Sequence, residues 1–307
     1  YEKIQEAVNA AQEGDTIFVR AGTYYEHVVL DKALSLIGEN EHDTIIDGNR
    51  TGIVVYVITN NLTLSGFTIQ KGEVGIYIWE SSNNILTGNT ALNNSYGICL
   101  RGSSHNKIFR NNFVNNTKPQ SNINSVNSWD NDAEGNYWSD YGGTDANRDG
   151  VGDTPYSIDE NNQDNYPLMA TLLQFNIATE GRSYKIDVVC NSTISNFQCR
   201  YDVYNRINAV VFKVNGTEGE GFCRICIPHA LIESPYKVTV DYNPPLHSKI
   251  VYRNGTHTWL YFTYEHSEHE VIVMHKSSLE LVFLSQWAML GLTVTVVILL
   301  SISIHYY

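Results

Sequence analysis

Apolar residues follow two periods along this chain. Over residues 2–12, Ile4, Ala7, Val8 and Ala11 fall on one face of a helical wheel, which predicts a short amphipathic helix. From residue 14 the period drops to two. Ile17/Val19, Val28/Leu30 and Leu34/Leu36 alternate with polar positions, and Gly14, Gly22, Gly38 and Gly48 separate them, so short strands joined by turns are expected. A longer repeat then emerges. "GIYIWESSNNILTGNT" begins at Gly75 and "GICLRGSSHNKIFRNN" at Gly97, and the same 22-residue offset relates Leu64, Leu86 and Ile108. Three short strands in each such turn is the pitch of a parallel β-helix, in which every coil stacks its apolar positions on the next. Alternation directs Ile76/Ile78 and Ile98/Leu100 inward and leaves Tyr77/Cys99 and Trp79/Arg101 outside. Asn84 over Asn106 predicts a side-chain ladder at a turn. The helix over 2–12 then serves as a plug on the first coil.

A different run of strands follows "YPLMAT". The segments "LLQFNIA", "SYKIDVVC", "AVVFKV", "GFCRICI", "YKVTVDY", "WLYFTY" and "EVIVM", separated by Asn, Gly and Pro turns, suggest an Ig-like β-sandwich over residues 171–278. Residues 281–304, "LVFLSQWAMLGLTVTVVILLSISI", hold no charge. As a helix they would reach roughly 36 Å, enough for a bilayer, so residues 279–307 are expected to form a C-terminal transmembrane anchor. Trp287, Tyr306 and Tyr307 suit its interfaces.

Charge narrows the function. A net charge of -13 argues against nucleic acid, whose phosphates would be repelled. Only 17% of residues are charged, which suits a β-rich exterior of uncharged polar groups. Sequons for N-glycosylation occur at Asn49, Asn61, Asn93, Asn115, Asn191, Asn215 and Asn254. Together with the anchor they predict a single-pass glycoprotein on the extracellular face of the cell envelope. Four of five cysteines lie in the second run of strands: Cys190, Cys199 and Cys223 at inward positions and Cys226 outward. One or two disulfides and reduced core thiols both stay open, as do the three pairings of four cysteines.

One loop has the spacing of a cation site. In "DANRDGVGD", Asp145, Asn147, Asp149 and Asp153 stand at positions 1, 3, 5 and 9, Gly150 at 6, and the Val151 carbonyl at 7. Tyr156 occupies position 12, where a bidentate Glu belongs, so the last ligand is expected from Asp153, Asp159 or Asp164. The preceding "GNYWSDY" supplies Tyr137, Trp138 and Tyr141 to cover an open core, and a structural Ca2+ ion beside them would fix the segment. Trp79 over Arg101 offers a glycan platform. His266 and His269 in "YEHSEHEV" suit copper, although the stretch reads as a hairpin turn. No acid pair occurs among the outward positions placed here, so no catalytic residue is assigned.

"GDTIFVRAGTYYEHVVLDKALSLIGEN…TIIDG" resembles the start of pectin-lyase-like right-handed β-helices, specifically the NosD-like group of archaeal cell-surface proteins. "GNYWSDYGGTDANRDGVGDTPYSI…QDNYPLM" is similar to the segment that closes them. The resemblance covers about residues 1–170 and implies roles in copper-site maturation or in carbohydrate binding or cleavage. The expected architecture is all-β: a right-handed parallel β-helix with its capping helix over 1–134 and a closing segment with the calcium loop over 135–170. An Ig-like β-sandwich and a transmembrane helix follow. The function expected is a membrane-anchored scaffold or recognition module for glycans or envelope proteins. The alternatives are a polysaccharide lyase or hydrolase and a NosD-like copper accessory. The oligomeric state is left open.

Overall fold

The computed structural model describes residues 1–179, 181–202 and 207–276. The expected transmembrane segment lies outside the described residues, among which no helix is long and apolar enough to cross a membrane. The chain forms two compact units. The first comprises Tyr1–Phe175, Ile186–Asn191 and Phe222–Ile225; the second comprises Asn176–Lys185, Ser192–Gly221 and the described residues from Cys226 onward.

The first unit is a parallel β-helix whose coils build three sheets of five, six and five strands. In one sheet Leu36, Leu64, Leu86 and Ile108 stack in register, all fully buried. In another, Val55, Ile76 and Ile98 form one inward column and Val57, Ile78 and Leu100 the next. Each such side chain contributes roughly 1.5–3 kcal/mol by leaving water. The expected inward and outward sets hold along both strands Val74–Trp79 and Tyr96–Arg101. The earliest coils break the regular spacing, since Ser35 pairs with Thr16 on one side and Thr63 on the other.

Asparagines hold the turns. Asn111 Oδ1 accepts the Asn89 backbone N–H at 3.1 Å, and Asn89 Oδ1 accepts that of Phe67 at 3.2 Å. A second ladder runs through Asn84, Asn106 and Asn127, each side-chain oxygen taking the N–H of the coil before it. A third joins Gly72, Asn94 and Asn116. These amides satisfy backbone groups where the strands stop and the chain bends.

Both ends of the coil are closed. The helix Ile4–Ala10 buries Ile4 and Val8. It lacks a capping side chain of its own at Lys3, and Glu26 supplies one by accepting the Ile4 and Gln5 N–H groups at 2.9 and 3.0 Å. At its other end Lys32 Nζ donates to the carbonyls of Val8, Asn9 and Ala11 at 2.9–3.0 Å. Both charges oppose the helix dipole with the favourable sign.

At the far end Phe113, Trp138 and Tyr156 stack, with 4.4 Å between successive ring centroids, and Trp129 leans on Trp138 at 5.8 Å. Trp138 covers the core as expected. Tyr137 does not: it packs instead against the separate cluster around Leu168, because the strand's alternation turns it to the other face. Asn162 and Asp164 end two ladders. Asn162 Oδ1 accepts the Asn127 N–H at 2.9 Å, and Asp164 Oδ2 accepts the Asn136 N–H at 2.7 Å and the Trp138 indole N–H at 2.9 Å. Asp164 is fully buried, and desolvation raises its pKa to about 6 against the lowering effect of those hydrogen bonds.

In the second unit the strands Thr193–Asp202, Ile207–Asn215, His269–His275 and Tyr236–Val240 form one antiparallel sheet in that order. His247–Arg253 pairs with His257–Glu265. All seven expected segments are strands, and Thr193–Asp202 and His247–Arg253 add two more. Both additions are edge strands, and the second is exposed along nearly its whole length, so neither carries an apolar pattern. The expected hairpin at "YEHSEHEV" is not one. His257–Glu265 and His269–His275 belong to different sheets, and residues 266–268 cross between them.

Candidate functional site

The outer face of the coil's third sheet, which holds Val74–Trp79 and Tyr96–Arg101, carries an unusual set of rings. The register sets Tyr56 beside Tyr77, and Trp79 beside Arg101. Tyr56 and Tyr77 stack with centroids 5.5 Å apart and planes 12° apart. Trp79 is 42% exposed and tilts toward both, at 6.2 and 6.3 Å. Exposed Ile58 and Ile123 extend the apolar area, and Arg101 puts a charge between Trp79 and Ile123. Burial, with the nearby Tyr77 and Glu80, pushes the Tyr56 phenol above its ordinary pKa. Sequence reading found Trp79 and Arg101. It missed that Tyr56 and Tyr77 complete a platform of three rings, although Tyr56 falls in register with Tyr77.

A groove of about 680 Å³ opens near the closing segment, lined among others by Ile85, Lys107, Phe109, Asp130, Asp132 and Gln163. It brings two carboxylates and an amine together, which the outward positions assigned from sequence did not. Asp130 is already engaged: its Oδ1 accepts the Asp132 N–H at 3.0 Å and its Oδ2 accepts the Asn165 N–H and side-chain amide at 3.0 and 2.8 Å. Two further acids of this unit are paired with arginine, Glu134 with Arg110 and Arg224, and Asp187 with Arg110.

The loop from Asp145 to Asp153 folds around backbone amides. Asp145 accepts the Asp149 and Gly150 N–H groups at 2.9 and 2.8 Å, and Asp153 Oδ2 accepts that of Ala146 at 2.6 Å. Gly150 has φ +81°, the left-handed turn expected at position 6. Burial raises the Asp145 pKa, and the Asp149 and Asp153 charges add to the shift. Val151 bridges to Leu168, and Asn147 is exposed. Neither proposed outside ligand reaches the loop. Asp159 is bound by Asn122, Asn161 and Asn162, and Asp164 ends the ladder. Tyr156 stands at position 12 because its ring belongs to the aromatic stack.

All seven sequon asparagines are exposed. Asn49, Asn61, Asn93 and Asn115 have φ between 50° and 59°, the left-handed conformation that asparagine tolerates best after glycine. Turn geometry therefore explains their presence without a glycan. Cys226 is buried at 5% exposure, not outward-facing, since both faces of its strand are covered. Cys199 is only partly covered, and its thiol bonds Asn208 Oδ1.

Residues 32–143, less than half of the chain, match the family model described as periplasmic copper-binding protein (NosD). The coiled unit is a NosD-like parallel β-helix. No curated protein and no solved structure matches the chain. Within the matched stretch the histidine and cysteine donors are His42, His105 and Cys99. Both imidazoles are exposed, and burial pushes the Cys99 thiol up to about 11. Among the described residues, no three His, Cys, Asp or Glu side chains converge to hold a metal. Those three donors of the NosD-like stretch do not gather into a copper site. The predicted pair His266 and His269 fits no better: His269 bonds Asp241 Oδ2 through Nδ1 at 2.6 Å and the Glu265 carbonyl through Nε2 at 2.7 Å, and His266 Nδ1 bonds the Glu218 carbonyl at 2.5 Å.

Proposed function

We propose that the NosD-like β-helix is a recognition module of the cell envelope that binds glycans on its outer aromatic face. The observation that carries this reading is the Tyr56–Tyr77–Trp79 platform. Pyranose C–H faces pack on such rings, phenol hydroxyls bond sugar hydroxyls, and Arg101 meets the carboxylate of an acidic sugar. A rigid coil presents the rings without ordering a loop, which lowers the entropic cost of binding. A glycan array followed by calorimetry tests it. Trp79→Ala and Tyr77→Ala should each weaken the best glycan at least tenfold while leaving the fold intact; wild-type affinity in both variants would overturn it.

A second reading, polysaccharide cleavage, is favoured by Asp130, Asp132 and Lys107 lining one groove. It requires that new chain ends accumulate in a polysaccharide digest and vanish with Asp132→Asn.

Other parts of the molecule support an envelope setting. The uncharged run 281–304 suits a membrane anchor, and the antiparallel sheets after residue 171 suit an Ig-like stalk. Exposed sequons suit glycosylation. The spacing of Asp145, Asn147, Asp149, the Val151 carbonyl and Asp153 suits a structural calcium ion, which would draw together carboxylates that here bond loop amides and relieve the repulsion at Asp145. That ion should raise Tm by several degrees in millimolar calcium relative to chelator, and Asp145→Asn should remove the difference.

A further inference from the structure

Cys190 and Cys223 face each other directly across an antiparallel ladder that also pairs Val189 with Arg224 and Val188 with Ile225. The neighbouring Asn191 N–H donates to the Phe222 carbonyl at 3.4 Å, which makes the cysteine pair a non-hydrogen-bonded site. At such sites the two Cα atoms are about 4.5 Å apart, inside the roughly 4.4–6.8 Å range that disulfides span. The sulfurs have already met: Cys223 Sγ lies 2.7 Å from Cys190 Sγ, closer than two unbonded sulfurs pack. Both residues are buried, at 2% and 0% exposure.

The remaining cysteines are poorly placed as competitors. Cys226 is three positions along the strand from Cys223 and projects from its opposite face. Cys99 lies in the third sheet of the coil, opposite Tyr77 and Ser121. Cys199 bonds Asn208.

We propose that Cys190 and Cys223 are a thiol–disulfide site that closes during folding in an oxidising compartment. The oxidant is a small-molecule disulfide of the glutathione type. One cysteine thiolate attacks it, forming a mixed disulfide and releasing one small thiol. The second cysteine thiolate then attacks the protein sulfur of that mixed disulfide and displaces the other small thiol. Two protein thiols are oxidised, one small disulfide is reduced to two thiols, and the protons of the cysteines pass to the leaving thiolates. Because both sulfurs are buried in the folded chain, the exchange precedes strand closure or needs local opening. Once formed, the bond joins residues 33 positions apart and restricts the unfolded chain.

The full chain, refolded from denaturant with oxidised and reduced glutathione, then alkylated and digested, tests this. The expected peptide map links Cys190 to Cys223 and leaves Cys99, Cys199 and Cys226 alkylated, so three of the five cysteines carry the label. Wild-type Tm should fall by several degrees on adding reductant, and Cys190→Ala/Cys223→Ala should show no such fall. Alkylation of all five cysteines under oxidising conditions would overturn the proposal, as would a link from either residue to another cysteine. The wild-type map decides even if the variant does not fold.

Discussion

Replacing Asn111 with alanine removes the middle rung of a buried ladder. Asn111 is 2% exposed; its Oδ1 accepts the Asn89 N–H, and its Nδ2 donates to the Leu86, Phe109 and Asn136 oxygens at 2.9, 3.1 and 3.1 Å. Leaving the Asn89 N–H buried without an acceptor costs about 1–3 kcal/mol, and stripping the donor from the Leu86 carbonyl adds roughly another 1 kcal/mol. The small void contributes further, so Asn111→Ala should lose about 2–4 kcal/mol in urea unfolding. Asn111→Asp separates polarity from size. It keeps the acceptor but points a carboxylate oxygen at three oxygens, so it should lose more than alanine at neutral pH and recover on acidification, when a protonated carboxyl donates again. If Asn111→Ala stays within about 0.5 kcal/mol of wild type, the ladders decorate the coil and do not hold it.

Three further outcomes follow from the ends of the coil. Asp164 has its pKa raised to about 6, so its contribution to stability is fully present below the ordinary carboxylate range and is lost as pH rises through about 6; the difference is roughly 3 kcal/mol. Urea unfolding at pH 4 and pH 7 should show that decline in the wild type and a flatter profile in Asp164→Asn. Lys32→Met removes the donor to three helix carbonyls and should cost about 1–2 kcal/mol, with hydrogen exchange rising first in Ile4–Ala10. Tyr156→Glu restores the usual twelfth residue of a calcium loop but takes a ring from the aromatic stack. It should lose about 3 kcal/mol and gain no calcium affinity by titration calorimetry; tighter binding with unchanged stability would contradict the role given to that ring.

What the sequence revealed depended on repetition and burial. The coils from Leu64 to Ile108 were legible because three inward columns recur at one spacing, and a slip by one residue would expose all of them. The first coils share no such spacing and read only as alternating strands. The edge strands Thr193–Asp202 and His247–Arg253 bury too little to leave a pattern. At the candidate site, Trp79 and Arg101 emerged from the repeat, whereas the groove by Asp130 joins chain segments that no local pattern connects. Tyr156 looked like a defect in a metal loop because its partners, Trp138 and Tyr141, lie in an earlier part of the chain.

The asparagine rungs bear on how such a protein changes length. In the ladder through Asn89 and Asn111 each rung offers an oxygen to the coil before it and an N–H to the coil after it, so one such rung can follow another. Only the termini are particular, closed by the Glu26- and Lys32-bound helix at one and by Asn162 and Asp164 at the other. Duplication of one 22-residue coil leaves both closures untouched and widens the lateral face by one row of side chains. An insertion inside a strand breaks the register of that strand, whereas the turns absorb other lengths, as they do between the first coils. Growth by whole coils keeps every register, and new binding surface arises by copying a coil and then altering its outward residues.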